Sequence, residues 1–156
     1  MIARDLAEAV RIVEDRRATG ARIVFTNGCF DLLHAGHVRY LAEARALGDF
    51  LVVGLNSDAS VRDLKGPTRP LNSEADRAVV LDALKAVDLV VVFDEATATG
   101  PVEALKPEVY AKGGDYRPET LPEAPAVHAG GGRIVLLPFL EGRSTTSLVA
   151  RMSQPS

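Results

Sequence analysis

Tryptophan is absent from this sequence of 156 residues, aromatic side chains make up only 5% of it, and cysteine occurs once. Few aromatic rings disfavour the stacking surfaces with which proteins bind single-stranded nucleic acid. A single cysteine excludes an intrachain disulfide and is typical of a reducing, cytoplasmic environment. The net charge of −3 gives no overall positive field that would attract nucleic acid or an anionic membrane. We therefore expect a cytoplasmic protein without nucleic-acid or membrane partners.

Long hydrophobic runs are also lacking. The run at 89–93, Leu-Val-Val-Val-Phe, is far shorter than a membrane span, and the first residues contain no apolar stretch typical of a signal peptide. Hydrophobic residues nevertheless account for 47% of the chain, which is enough to bury a substantial core. The composition predicts one domain over 1–156, with an N-terminal helix in 1–20 and the core in 21–152.

Apolar runs of strand length alternate with helical patterns along the chain. Strands are predicted at 22–26, 50–55, 88–93, 108–111 and 133–137. Helices are predicted at 36–47, 73–86, 98–105 and 144–152, and loops at 65–72 and 115–125. This alternation predicts an α/β fold, a Rossmann-like doubly wound sheet of about five parallel strands with helices on both faces. Ligands of such sheets bind beyond the carboxyl ends of the strands.

The segment 27–37, Asn-Gly-Cys-Phe-Asp-Leu-Leu-His-Ala-Gly-His, joins the first predicted strand to the helix that follows it. The free N–H groups and the positive end of the helix dipole at such a junction favour a bound anion. His34 and His37 stand three residues apart and so share one face of the helix, where both can point at that anion. Two imidazole donors at a phosphate indicate an enzyme that catalyses transfer at phosphorus, with both histidines catalytic.

Other interpretations of these histidines stay open. They could be helix-capping or surface residues with no chemical role. A zinc site formed by Cys29, His34 and His37 lacks a clear fourth ligand, so no metal held by the protein is predicted. Cys29 itself is expected to be a small residue packed under the loop rather than a nucleophile.

The strand, turn and helix around His34 and His37 resemble the HxGH signature of the nucleotidyltransferase superfamily, which includes the cytidylyltransferases. The segment 26–31, Thr-Asn-Gly-Cys-Phe-Asp, is similar to one branch, the D-glycero-β-D-manno-heptose 1-phosphate adenylyltransferases. The segment 112–116, Lys-Gly-Gly-Asp-Tyr, resembles the same branch. The segment 139–146 begins with Phe-Leu where cytidylyltransferases carry Arg-Thr, which is a departure toward the heptose branch.

This resemblance implies transfer of AMP from ATP to D-glycero-β-D-manno-heptose 1-phosphate, with ADP-heptose and pyrophosphate as products. It implies Mg²⁺ as a cofactor, bound mainly through the ATP phosphates, and ATP and the sugar 1-phosphate as partners. Such ADP-heptoses feed the lipopolysaccharide core. The chain has no room for the sugar kinase domain that is often fused to this activity, so a separate kinase is expected upstream. The resemblance also suggests a homodimer.

Carried over residue by residue, the resemblance assigns Lys65 to catalysis beside the two histidines, as a cation on the triphosphate. Nucleotide contacts are expected from Asn27, Gly28, Phe30, Asp31, Gly36, Arg77, Lys112, Gly113, Asp115, Tyr116, Ser144 and Thr145. Contacts with the acceptor substrate are expected from Asn56, Asp58 and Arg69. For Asp31 two roles stay open, orienting the turn or acting at the phosphates through Mg²⁺. Arg77 has an ordinary helix ion pair as its alternative role.

Other functions are weighed against this one. A cytidylyltransferase acting on glycerol 3-phosphate, or on another alcohol or sugar phosphate, would share the fold and the mechanism. A non-catalytic nucleotide-binding module would keep the pocket, although it would not need His34, His37 and Lys65 together. The chain lacks the Gly-x-x-x-x-Gly-Lys-Ser/Thr loop and has no Gly-x-Gly-x-x-Gly after its first strand. P-loop proteins and nicotinamide-binding Rossmann domains are therefore excluded.

Overall fold

Each predicted apolar run forms a strand. The computed structural model describes residues 1–114, 117–138 and 152. The strands are β1 Ile23–Gly28, β2 Phe50–Asn56, β3 Leu89–Phe93, β4 Val109–Gly113 and β5 Arg133–Leu137. They form one parallel sheet in the order β3-β2-β1-β4-β5, and their Val- and Leu-rich sequences suit a sheet covered on both faces. The predicted Rossmann-like α/β fold is confirmed.

The helices connect these strands and begin at side chains that cap them. They are α1 Leu6–Ala18, α2 Ala35–Arg45, α3 Asp58–Lys65, α4 Glu74–Asp82, α5 Thr99–Leu105 and α6 Ala124–Ala129, with a short 3-10 helix at Pro118–Thr120. Asp5, Ser57 and Ser73 accept backbone N–H groups in the first turns of α1, α3 and α4, which would otherwise lack partners. Within 1–114 and 117–138, no helix is long and apolar enough to cross a bilayer.

The helix predictions were wrong in three places. Helix α3 was not predicted, because its eight residues carry too few apolar positions to show a helical period. Helix α6 was not predicted, and the predicted loop at 115–125 includes its first two residues; Pro125 lies in the first turn, where proline removes no hydrogen bond. Helix α4 ends at Asp82 rather than at residue 86, because turns at Leu84 and Val87 lead the chain into β3. The predicted helix at 144–152 lies outside the described residues, apart from residue 152.

Two apolar clusters, one on each face of the sheet, form the core. On one face, α1, α5 and α6 pack against the side of β1 and β4 that carries Phe25 and Tyr110. On the other face, α2 and α4 pack against the side that carries Val24 and Val109. Gly54 in β2 makes room between strands, since a Cβ there would lie 2.6 Å from the Phe25 ring. Helices therefore cover both faces, as the sequence predicts.

The central strand β1 has different neighbours on its two sides. It pairs with β2 over its whole length, from Ile23 to Gly28. With β4 it forms only two pairs, Val24 with Val109 and Phe25 with Tyr110. The chain order reverses between β1 and β4, so a crevice opens there beyond the second pair. In open parallel sheets this reversal point is where ligands bind.

Candidate active site

The first turn of α2 is held by the two histidines of the sequence motif. His34 is the N-cap residue, and its Nδ1 accepts the backbone N–H of Gly36 at 3.0 Å. The Nδ1 of His37 accepts the backbone N–H of His34 at 3.3 Å. These contacts form a reciprocal capping box, in which two histidines do what Ser and Glu do in the common form. The helix-capping interpretation of the histidines is therefore correct for their Nδ1 atoms, and the N–H of Gly36 is used in the cap.

Capping also fixes the tautomer of each ring. A nitrogen that accepts a hydrogen bond carries no proton, so the hydrogen bonds place the proton of each neutral ring on Nε2. The two ring centroids lie 4.1 Å apart, with the ring planes at 49°. Each ring thus accepts a backbone N–H through Nδ1 and carries its own N–H on Nε2, and the catalytic role of the two rings stays a prediction.

His37 is held in its neutral form. Burial, the neighbouring His34 and the positive charge of Lys65 lower the pKa of His37 to about 4. The Phe30 ring meets the His37 ring edge-on, at 5.8 Å between centroids. At neutral pH His37 is therefore an uncharged donor whose orientation is set by packing and by the cap.

The position of the Phe30 ring explains why residue 28 is a glycine. Phe30 is buried and has a left-handed backbone conformation, with φ of 46°. A Cβ on Gly28 would lie 3.0 Å from the Phe30 ring, so a side chain there would displace the ring that packs on His37. The close approach of Gly28 to a phosphate stays a prediction. The packing of Phe30 by itself already requires a glycine at this position.

Lys65 ends α3 and is exposed to solvent. Its positive charge acts to lower the pKa of His37 and of the Cys29 thiol. Burial outweighs this charge at Cys29, whose thiol pKa is raised, so the thiolate needed for nucleophilic attack is disfavoured. The described residues contain no cluster of three His, Cys, Asp or Glu that could hold a metal ion. The catalytic role of Lys65 stays a prediction.

Asp31 anchors a loop rather than facing the crevice. Its side chain is fully buried, and its carboxylate accepts the backbone N–H groups of Leu71 and Asn72 and the Nε–H of Arg69. Burial alone would raise the pKa of Asp31, but the N–H groups of Leu71 and Asn72 and the Arg69 guanidinium outweigh it and lower that pKa. In this arrangement the carboxylate is closed to a nucleotide and to Mg²⁺. Of its two predicted roles, the structure favours orienting the turn.

Arg69, predicted to contact the acceptor substrate, forms an ion pair with Asp31 at 2.8 Å. Its side chain is 11% exposed, and its Nη2 is buried without a hydrogen-bond partner in the part of the chain that the structure describes. Removing a cationic donor from water without a partner is costly. A contact between this nitrogen and the substrate stays a prediction.

Arg77 holds together three parts of the site. Its Nε donates to the carbonyl of Asn72, its Nη1 to those of Cys29 and Asn56, and its Nη2 to Asp58 Oδ1 at 2.7 Å. Four of the five N–H directions of a guanidinium are thus engaged by protein acceptors. Arg77 thus makes more contacts than a simple helix ion pair, and its contact with phosphate stays a prediction. Its main contacts brace the turn after β1 against the end of β2.

The predicted substrate contacts after β2 are turned toward the protein. Asn56 is 3% exposed, and its amide donates to Ser60 Oγ at 2.9 Å; its contact with the substrate stays a prediction. Asp58 is partly exposed but is paired with Arg77. Sequence patterns show that these residues follow a strand; they do not show which way the side chains point.

Three more of the predicted contacts, Asn27, Lys112 and Gly113, lie at the crevice between β1 and β4. Asn27 is the second-last residue of β1, and its Oδ1 accepts the hydroxyl of Tyr110 at 2.6 Å. Lys112 and Gly113 are the last residues of β4, across the crevice. Asp115, Tyr116, Ser144 and Thr145 lie outside the described residues. Tyr40, which reaches into the crevice from α2, was missed, although its position three residues after His37 puts it on the same helix face.

Comparison with known proteins agrees with this geometry. Residues 25–126 match the cytidylyltransferase-like family. The bifunctional protein HldE of Syntrophotalea carbinolica is 54% identical over 148 residues, which cover 94% of this chain and 30% of that protein. The bifunctional protein HldE of Caulobacter vibrioides is 53% identical over 149 residues, covering 96% and 31%. The chain thus spans about a third of the length of these relatives.

Solved structures share the fold. A lipopolysaccharide core biosynthesis protein from Thermoplasma volcanium is 30% identical, with a TM-score of 0.63 over 78% of this chain and 98% of that one. A pantoate-β-alanine ligase from Francisella tularensis has a TM-score of 0.59 over 94% and 69%, and its 15% identity supports likeness of fold alone. The resemblance in the HxGH segment is confirmed by the family match, which contains that segment. The chain therefore belongs to the cytidylyltransferase-like family and is a nucleotidyltransferase.

Proposed function

We propose that this nucleotidyltransferase transfers AMP from ATP to D-glycero-β-D-manno-heptose 1-phosphate and releases pyrophosphate. The observation that carries the proposal of transfer at phosphorus is the reciprocal capping of α2, which leaves an Nε2–H donor on His34 and on His37. The choice of acceptor is supported by the segments 26–31 and 112–116. The names of two similar proteins, HldE and a lipopolysaccharide core biosynthesis protein, are consistent with it.

In the proposed step, an oxygen of the sugar phosphate attacks the α-phosphorus of ATP. The bond from that phosphorus to the oxygen bridging the α- and β-phosphates breaks, and pyrophosphate leaves with the bonding electron pair. His34 and His37 donate from Nε2 to the α-phosphate oxygens as their charge grows, and Lys65 neutralises charge on the triphosphate. Each such preorganised donor stabilises a transition state by about 3–4 kcal/mol.

Mg²⁺ would supply further neutralisation of the triphosphate charge. The residues present suit an ion held by the nucleotide, because the described part of the chain has no cluster of three ligating side chains and Asp31 is engaged by the loop. The protein's own contribution is the two imidazoles, the Lys65 cation and the crevice that receives the nucleotide.

The partners of the protein follow from this reaction. A sugar kinase acting upstream must supply the sugar 1-phosphate. A cytoplasmic location suits substrates such as ATP. A homodimer is also proposed from the family resemblance, and the exposed Val79 and Val80 of α4 offer apolar surface for it. Sedimentation of the wild-type chain tests the dimer; a monomer at all concentrations would contradict it.

The proposed function is tested with a panel of ATP, CTP, GTP and UTP against heptose 1-phosphate, other sugar 1-phosphates and glycerol 3-phosphate. Pyrophosphate release gives the rate for each combination, and mass spectrometry identifies the product. We expect release with ATP and heptose 1-phosphate, and an ADP-sugar as the product. Turnover with CTP but not with ATP would support the cytidylyltransferase instead, and glycerol 3-phosphate as the preferred acceptor would contradict the heptose assignment.

A further inference from the structure

The crevice between β1 and β4 exists because these strands stop pairing early. Strand β4 pairs with β5 at all five of its positions, and β1 pairs with β2 at all six. Between β1 and β4 the pairing ends at Phe25 and Tyr110. In register, Thr26 and Ala111 would form the next pair, so they are the first residues on either side of the gap.

The hydroxyl of Tyr40 occupies that missing position. It donates to the backbone carbonyl of Ala111 at 3.0 Å and lies 2.5 Å from Thr26 Oγ1. A phenol has one hydrogen to give, and here it goes to Ala111, so the hydroxyl of Thr26 is the donor to Tyr40. Hydrogen bonds therefore run in one direction, from Thr26 through Tyr40 to Ala111, across the mouth of the splayed strands.

A second tyrosine bridges the crevice on the opposite face of the sheet. Tyr110, in β4, stacks on Phe25 and donates from its hydroxyl to Asn27 Oδ1 at 2.6 Å. This bridge joins β4 to β1 and involves no helix. Tyr40, by contrast, belongs to α2, so its hydroxyl joins three elements: β1, β4 and the helix that begins with the histidines.

Tyr40 follows His37 by one helical turn, on the same side of α2. Rotation or translation of α2 relative to the strands would move both imidazoles relative to a nucleotide held in the crevice. We propose that Tyr40 is a positioning residue, whose hydroxyl fixes the helix bearing His34 and His37 against both walls of the nucleotide crevice. This inference rests on the proposed function of that site.

The surroundings of Tyr40 keep its hydroxyl protonated, so that it stays a hydrogen-bond donor. Its ring packs against the apolar cluster formed by α2, α4 and the sheet. Burial raises the pKa of the Tyr40 phenol to about 12, although the hydrogen bond with Thr26 acts in the other direction. The hydroxyl thus keeps its proton throughout the pH range in which the protein is assayed, so the direction of the hydrogen bonds does not change.

Tyr40→Phe removes only the hydroxyl. Misplacement of catalytic groups by about 1 Å costs up to about 100-fold in rate, so we expect the single-turnover rate to fall by about 10- to 100-fold. The dissociation constant for ATP should change by less than about threefold, because the strand ends that receive the nucleotide keep their own bridge through Tyr110. Tyr110→Phe is the matched comparison; it frees Asn27 and should weaken ATP binding more than it slows the transfer step.

Thr26 provides an independent pair of variants. Thr26→Val keeps the shape but removes the donor to Tyr40. It should slow transfer less than Tyr40→Phe does, because the Tyr40 hydroxyl still donates to the carbonyl of Ala111. Thr26→Ser keeps the hydroxyl and should retain the wild-type rate. Because Tyr40→Phe already removes the hydrogen bond that Thr26→Val breaks, the two changes combined should cost little more than Tyr40→Phe alone.

The results of these experiments distinguish a failure of the positioning role from a failure of the proposed function. If the wild type releases pyrophosphate and Tyr40→Phe does so at the same rate, the positioning role is wrong. It is also wrong if rate, ATP affinity and thermal midpoint fall together, which indicates general destabilisation. If the wild type turns over no substrate pair, the proposed function fails. NMR of the His34 and His37 rings then decides: nitrogen shifts altered by Tyr40→Phe support the positioning role, and unchanged shifts overturn it.

Discussion

His34 and His37 cap the helix that carries them, each through Nδ1, and their ring centroids lie 4.1 Å apart. The cap and the proposed chemistry therefore use opposite nitrogens of the same two rings. A substitution can keep the capping contact of Nδ1 and remove the donor at Nε2, or the reverse. The two roles can therefore be separated by experiment.

Substitution of His37 by Asn or Gln tests the roles of its two ring nitrogens separately. His37→Asn places an oxygen near the Nδ1 position, so it should keep the cap and lose the donor. We expect kcat to fall by about 100- to 1000-fold with little change in the thermal midpoint. His37→Gln places an amide nitrogen near the Nε2 position, and it should retain more turnover while unfolding becomes easier by about 0.5–2 kcal/mol. Pyrophosphate release and thermal denaturation measure the two effects.

The control for these variants is His128→Asn, because His128 is exposed in α6 and outside the site. It should behave as the wild type. His37→Ala should abolish most turnover while ATP affinity, measured by calorimetry, changes far less. Equal loss of turnover and of affinity would favour the non-catalytic nucleotide-binding module.

The depressed pKa of His37 makes stability depend on pH. Burial, His34 and the charge of Lys65 lower this pKa from 6.5 to about 4. Below about pH 6.5 the unfolded chain takes up a proton at His37 that the folded protein does not bind until about pH 4. The contribution of His37 to the free energy of unfolding should thus be complete above pH 6.5 and decline as the pH falls toward 4. Urea denaturation across this window measures it.

His37→Gln is the reference for this pH dependence, since glutamine does not titrate. The difference in unfolding free energy between wild type and variant should change between about pH 6.5 and pH 4 and stay constant above that window. A constant difference throughout would show that the imidazole of His37 titrates normally in the folded protein.

Removing the charge of Asp31 should release the loop that it holds. Asp31→Asn leaves Arg69 buried without its counter-charge and weakens the contacts with the N–H groups of Leu71 and Asn72. Breaking a buried ion pair on one side costs about 3–5 kcal/mol, and we expect a loss of unfolding free energy on that scale. Asp63→Asn, at an exposed position of α3, is the control. Equal stability of the two variants would contradict the anchoring role.

Arg77→Lys tests whether Arg77 braces the site or contacts phosphate. Lysine keeps the charge but cannot reach the carbonyls of Cys29, Asn56 and Asn72 and the carboxylate of Asp58 at once. Several buried acceptors would lose their donor, so we expect the free energy of unfolding to fall by at least about 3 kcal/mol. An unchanged thermal midpoint with a raised KM for ATP would instead favour a phosphate contact.

The sequence predicts the sheet well and the side-chain directions poorly. Apolar runs locate every strand, and in β2 and β3 these runs are continuous because both faces of those strands are buried. The motif at 27–37 likewise places His34 and His37 at the start of α2. Helix α3 was missed because short helices owe their stability to caps and tertiary packing more than to periodicity.

The directions of polar side chains around the site are harder to predict. Asp31, Asn56 and Arg77 were expected to face a ligand, yet each is engaged by the protein itself. Polar residues near a site are needed both to bind ligands and to hold loops in place, and the two uses require the same residue types. Tyr40 shows the converse, since only the strand register reveals that its hydroxyl lies where a β-pair is missing.

The early end of the β1–β4 ladder offers a simple rule for redesigning this scaffold. Each further residue pair between β1 and β4 would extend their pairing by about 3.3 Å and make the crevice shallower by that length. The number of residue pairs between β1 and β4 could thus be chosen to fit acceptors of different size. The tyrosine at position 40 would then be placed at another position of α2, so that its hydroxyl again lies beside the first unpaired residues. Cleft depth would then be adjusted in whole residues.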